Sequence, residues 1–374
     1  MNISRHSINE VPRYFVPYVN DCFQNTYGAL VSYMGLKPEL ILADYLSFMY
    51  DPDMGHIGAN FLHRQSNSFV FTEEQLNSSL EYAYFPGVSQ FSNCCAAEEE
   101  NLPDDKIKIT LYVEDDQDIA HSRLIELIDR EIPVIVVVDL YYMRYHGAYL
   151  KRHGAHAVVV TGYNQEEGYV ELFDKYDLSK SNFDGRMPVE ELILARKSEN
   201  PLGSYNKPIR NLWMEVRKNS SFFYNDKRWE SIITESCSRM YGQKEVLGSK
   251  CGLDMIEALR KDLLERKERM QGDELFSFLG YYNEAFRVMS RNRIRFGVFL
   301  KEIAEKLKDN SAEEISALLK DSAKRWEIIS NLVLRSALTR DKGVIDNICT
   351  QIQQIKDIES RAVEMLCGCK KSGE

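Results

Sequence analysis

The chain has 374 residues, 44% hydrophobic and 28% charged, with a formal net charge of −10. That is the make-up of a globular protein with room for two domains. No apolar run reaches the ~18 residues a membrane helix needs, and Arg5, His6, Glu10 and Arg13 interrupt any apolar core of a signal peptide. An acidic chain without a binding motif argues against nucleic acid, so the reading is a cytoplasmic protein with neither membrane nor nucleic-acid partners.

The eight cysteines, Cys22, Cys94, Cys95, Cys237, Cys251, Cys349, Cys367 and Cys369, are irregularly spaced and form no Cys-x-x-Cys. Reduced thiols are expected, with no metal site. Charge is uneven: residues 1–200 carry −15 and residues 201–374 carry +5. The expected organisation is a catalytic domain over 1–200, a connecting segment over 201–250 with Gly242 to Gly252 as linker, and a helical domain over 251–374.

In chain order, Cys22 to Met34 reads as a helix stopped by Gly35 and Pro38. Pro38 to Tyr50 reads as a second helix, and Asp51 to Asn60 as a glycine-containing loop. Ile107 to Val113 is a strand. Asp118 to Arg130 is an amphipathic helix with Ile119, Leu124, Ile125 and Ile128 on one face. The β-branched run Pro133 to Leu140 is a buried central strand. Ala157 to Tyr163 and Tyr169 to Phe173 form a hairpin around residues 164–168. The rest is helical, near 227–241, 252–270, 273–290, 297–308, 311–337 and 343–366. The fold class is α+β with a mostly antiparallel sheet, followed by an all-helical domain.

Three residues stand out against this frame. Cys22 opens a helix, His156 precedes a strand, and Asp174 ends the next strand. A free thiol has a pKa of about 8.5 and is little ionised at neutral pH. The positive end of a helix and a nearby imidazolium both favour the thiolate. A carboxylate on the far ring nitrogen fixes the imidazole. The competing reading is a small core cysteine and a merely hydrogen-bonded histidine.

Asn20-Asp21-Cys22, the segment Met54-Gly55-His56-Ile57-Gly58-Ala59-Asn60-Phe61, the run from His153 to Tyr163 and Leu172-Phe173-Asp174 resemble the butirosin-biosynthesis protein H family. The resemblance spans roughly residues 12–185 and implies a papain-like fold. It implies an acyltransferase of antibiotic biosynthesis. An acyl group would pass from an acyl or peptidyl carrier protein, through a thioester on Cys22, to a small-molecule amine such as an aminoglycoside. His156 would be the base and Asp174 the orienting carboxylate. The only prosthetic group implied is the carrier's own phosphopantetheine. One departure weighs against peptidase activity. Papain-like peptidases place a Gln six residues before the Cys to build the oxyanion hole, and Val16 stands there. The Cys22 N–H is one expected oxyanion donor, and no second is identified. The rival readings are a cysteine hydrolase, either peptidase or thioesterase, and a non-enzymatic binding module on the same core.

His153 lies three residues from His156, so along a strand it faces the other way. It is read as structural or substrate-facing. Tyr141, Tyr142, Tyr145 and Tyr149, between His146 and His153, are either a packed aromatic loop or the rim of the acceptor pocket, with Tyr145, Tyr149 and His153 as its contacts. Cys94-Cys95, beside Glu98 to Glu100, is the weaker nucleophile, because nearby carboxylates disfavour a thiolate. Arg287, Arg291 and Arg295 recur every four residues. They form either a solvated face paired with local acids or a docking surface for an acidic carrier.

Overall fold

The computed structural model describes residues 4–43, 45–53, 55–59, 107–112, 114–177, 181–200, 208–218, 220–221, 226–246, 249–307 and 311–368. Cys94, Cys95, Cys369 and part of the glycine-containing segment lie outside the described residues. The chain divides into two compact units. One has its described residues within Met1–Leu42 and Gly87–Phe223, the other within Ala43–Ser78 and Tyr224–Glu374.

The first unit is built on an antiparallel sheet in the order β4-β9-β5-β6-β7-β8, with β1 beside β6. Its strands are β1 (Arg5–Ser7), β4 (Ile107–Tyr112), β5 (Val134–Asp139), β6 (Ala155–Asn164), β7 (Tyr169–Asp177), β8 (Ser181–Pro188) and β9 (Trp213–Lys218). The β-branched run is central as expected: β5 pairs with β6 on one side and β9 on the other. The hairpin of β6 and β7 is longer than its apolar run, reaching His156 at one end of β6 and Asp174 in β7. Helix α1 (Cys22–Tyr33) packs on β6 and β7, α3 (Gln117–Asp129) packs on β5 and β6, and α4 (Val189–Arg196) packs on β5.

The expected helix from Pro38 to Tyr50 is corrected. Only α2 (Pro38–Ile41) is helical, and Met49–Asp51 is strand β2, paired with β3 (His56–Gly58). The backbone between them finds partners within the second unit. The Leu46 N–H donates to Ser236 Oγ, Ser47 O accepts from Arg293, and Phe48 O accepts from the Gly252 N–H. Tertiary partners satisfy groups that a helix would otherwise have paired.

The second unit is helical apart from two small hairpins, among the described residues. It contains α5 (Asp226–Met240), α6 (Leu253–Arg269), α7 (Asp273–Glu302), α8 (Ser311–Thr339) and α9 (Val344–Gly368). The stretch from Gly242 to Gly252 contains the hairpin of β10 (Glu245–Val246) and β11 (Ser249–Lys250) within this unit. The two helices expected over 273–290 and 297–308 are one. Gly297 does not end α7; a Cβ there would lie 2.9 Å from Ser316 Oγ, so glycine lets α8 approach closely. Phe48 and Phe286 both stack on Trp326, at 5.5 and 5.4 Å between centroids. At the centre Arg293 and Glu359 form a fully buried ion pair with two bonds of 2.8 Å. Glu359 also accepts from Ser322 and from Trp326 Nε1.

The expectation that every thiol is reduced is also corrected: Cys237 and Cys367 form a disulfide. They are 130 residues apart in sequence, but α5 packs beside α9 and brings their Cα atoms to 6.1 Å, within disulfide reach. No helix among the described residues is long and apolar enough to cross a membrane.

Candidate active site

Cys22 is the first residue of α1, and a capping box fixes the turn before it. The Asp21 side chain accepts from the Gln24 N–H at 2.7 Å, and the Gln24 side chain accepts from the Asp21 N–H at 3.0 Å. Further contacts tie the entering chain down. The Val16 N–H donates to Asn25 Oδ1 at 3.2 Å, and Val16 O accepts from the Asn20 N–H. The Tyr14 ring lies against Gly28, where a Cβ would come within 2.2 Å of it, so α1 needs glycine there. Arg13 sits over the Phe173 ring and pairs with both oxygens of Asp184.

The sheet register brings the other two residues together. β6 and β7 pair Val159 with Phe173. Continuing that ladder sets Asp174 opposite Val158, and His156 is two residues further along on the same face. His156 Nε2 donates to Asp174 Oδ1 at 2.9 Å, with both side chains buried. The Cys22 sulfur also interacts with this imidazole and favours its charged form. His146 and Tyr176 flank the imidazole at 6.0 and 5.5 Å between ring centroids.

Burial alone would push the His156 pKa down. The Asp174 charge, then the interaction with Cys22, outweigh it and push it up to about 10. The imidazolium is therefore the form held at neutral pH. A charged imidazole that is bonded to a carboxylate and interacts with a partly exposed sulfur can stabilise a thiolate and pass a proton to a leaving group. Beside the helix start, the Nδ2 atoms of Asn20 and Asn25 are buried without a hydrogen-bond partner among the described residues.

The remaining expected site residues are placed differently. His153 Nδ1 donates to Asp139 Oδ2 at 2.7 Å, and its ring stacks on Tyr141 at 4.3 Å. Asp139 follows Val138, the β5 partner of His156, so it faces the other side of the sheet. Tyr145 does not stand free on a rim: its hydroxyl donates to Asp174 Oδ2 at 3.1 Å. It also lines an open cleft of about 310 Å³ with Arg144, Phe183, Arg186 and Glu191. Tyr149 is half-buried, and its N–H bonds His146 O. The bond from Tyr145 was missed because the sequence shows which residues are aromatic, not which loop folds back onto Asp174.

The arginine row is not one exposed face. Arg287 and Arg291 both pair with Glu284, at 3.9 and 3.2 Å, whereas Arg295 is buried at 7% exposure. A docking face made of all three is therefore withdrawn. The reason is curvature of the helix surface into the bundle: the four-residue spacing drifts about 40° per step, which carries Arg295 into the packed side.

Residues 21–175 match the family model for butirosin biosynthesis protein H, N-terminal. Residues 285–366 match a domain of unknown function, DUF4872. No curated protein matches the chain.

Proposed function

We propose, from the membership of residues 21–175 in the butirosin biosynthesis protein H N-terminal family, that the chain is an acyltransferase of antibiotic biosynthesis working through Cys22. The observation that supports it best is a buried His156 bonded to Asp174 at 2.9 Å and held in its charged form by Asp174 and Cys22 together. The papain-like reading of the first unit rests on the same arrangement, a thiol at a helix start against a histidine carried by an antiparallel sheet.

In the first half-reaction the Cys22 thiolate attacks the carbonyl of a carrier-bound thioester. A bond forms from carbon to the Cys22 sulfur, the bond to the pantetheine sulfur breaks, and His156 gives that sulfur its proton. In the second half an amine attacks the Cys22 thioester. His156 takes the amine proton, and Cys22 leaves as thiolate. The sum is thioester plus amine giving amide plus thiol, with no oxidant or reductant. The N–H groups at the positive end of α1 would support the oxyanion of each tetrahedral intermediate. Asp174 keeps the imidazole oriented and charged.

Intact-mass measurement on the full chain tests this reading. With an acylated carrier protein, Cys22 should gain the acyl mass and lose it, as amide, when an amine is added. Cys22→Ala should gain nothing. Normal turnover by Cys22→Ala would overturn the mechanism, and equally fast release to water without an amine would make the chain a hydrolase.

A further inference from the structure

We infer that Tyr145 is a positioning residue for this reaction: its hydroxyl holds the second oxygen of Asp174 and so fixes the carboxylate that orients His156. The inference rests on the roles proposed for Cys22, His156 and Asp174.

Asp174 is 1% exposed. Its Oδ1 accepts from His156 at 2.9 Å and its Oδ2 accepts from Tyr145 at 3.1 Å. A buried carboxylate oxygen left without a donor loses its water partners with nothing to replace them. With Oδ2 unheld, the carboxylate could also swing about its own bond and loosen its grip on His156. Tyr145 removes that freedom.

Tyr145 is itself anchored to the strand pair that carries the carboxylate. Its ring stacks on Phe183 at 4.2 Å and 7°, and Phe183 is the β8 residue directly opposite Asp174. Burial, reinforced by the Asp174 charge, holds the phenol far above the usual range. The hydroxyl therefore keeps its proton at neutral pH and donates. The ring also forms a wall of the cleft beside Arg144 and Arg186, so an aromatic face, not the carboxylate, meets that space.

The test is a double-mutant cycle on the full chain with acetyl-N-acetylcysteamine as donor. Tyr145→Phe keeps the ring and removes only the hydroxyl. It should lower the rate constant for Cys22 acylation about tenfold, the size of one hydrogen bond to a charged group, and leave KM unchanged. In an Asp174→Asn background the same change should add almost nothing, because its effect passes through Asp174. An equal further loss there, or a raised KM with an unchanged rate constant, would overturn the inference. Phe183→Leu retains the hydroxyl but frees the ring; it should give a smaller loss of the same kind, and it serves as the second variant if Tyr145→Phe does not fold. The cycle is repeated with iodoacetamide alkylation of Cys22, which needs no acyl donor. If the wild-type chain is never acylated, the proposed function fails while the alkylation cycle still decides the part played by Tyr145.

Discussion

His153 donates from Nδ1 to Asp139 at 2.7 Å, a second imidazole–carboxylate pair within three residues of His156. Asp139 also accepts from Ser198 Oγ and from the N–H groups of Tyr141 and Gly154. With so many donors on one carboxylate, the pair reads as the clasp that closes the loop between β5 and β6. His153→Ala should therefore leave Cys22 acylation nearly unchanged. His156→Ala should slow it by about a thousandfold or more, as for loss of a triad base. Time courses of acyl-enzyme formation check the ranking, and a larger effect at His153 would show that it faces the reacting sulfur.

The charge on His156 gives a pH signature. Its folded-state pKa lies at about 10, above the ordinary 6.5. The stability that its pairing contributes is thus complete below about pH 6.5 and is lost as pH rises through about 10. Asp174→Asn removes the largest influence opposing burial, so the His156 transition should move to lower pH. Nitrogen-15 shifts of the imidazole report it directly. The difference in Tm between wild type and Asp174→Asn should be widest near pH 6 and shrink toward pH 10.

Strands β5 and β6 were legible because of their long apolar runs. Val134–Asp139 and Ala155–Asn164 are almost wholly buried. The placement of Cys22 was legible because an Asp cap and a helix-like run bracket it. β8 and β9 were not. β8 lies at the sheet edge and buries little but Ser181 and Met187. β9 buries Glu215, whose carboxylate is paired with Arg123 and Arg217, so a charge sits where alternation would call for an apolar residue. The link from Tyr145 to Asp174 joins residues 29 apart and leaves no local pattern.

The buried pair of Arg293 and Glu359 sets a stability prediction for the second unit. Glu359→Gln leaves the guanidinium without its counter-charge and should cost about 3–5 kcal/mol. Replacing both partners by Met and Leu should not restore full stability, because Ser322, Trp326 Nε1 and Ser47 O would each lose a partner. Urea unfolding of the full chain, following Trp326 fluorescence, measures both.

Position along α7 decides how each arginine responds to charge reversal. Arg287→Glu places a charge on a half-exposed position next to Glu284 and should change stability by no more than about 0.5 kcal/mol. Arg295→Glu buries an acid where a guanidinium was packed and should lower Tm sharply. Differential scanning calorimetry separates the two, and equal shifts would contradict the buried placement of Arg295.

The short segment of strands β2 and β3 belongs to the second unit, although both flanking stretches of chain serve the first. Phe48, Tyr50 and Ile57 emerge from the ribosome long before the helices that cover them, the last of which carries Glu359. At typical elongation rates that interval is roughly 15–60 s. Until then these three large side chains lack part of their native packing. A C-terminal truncation that removes those helices would leave the three side chains without that cover.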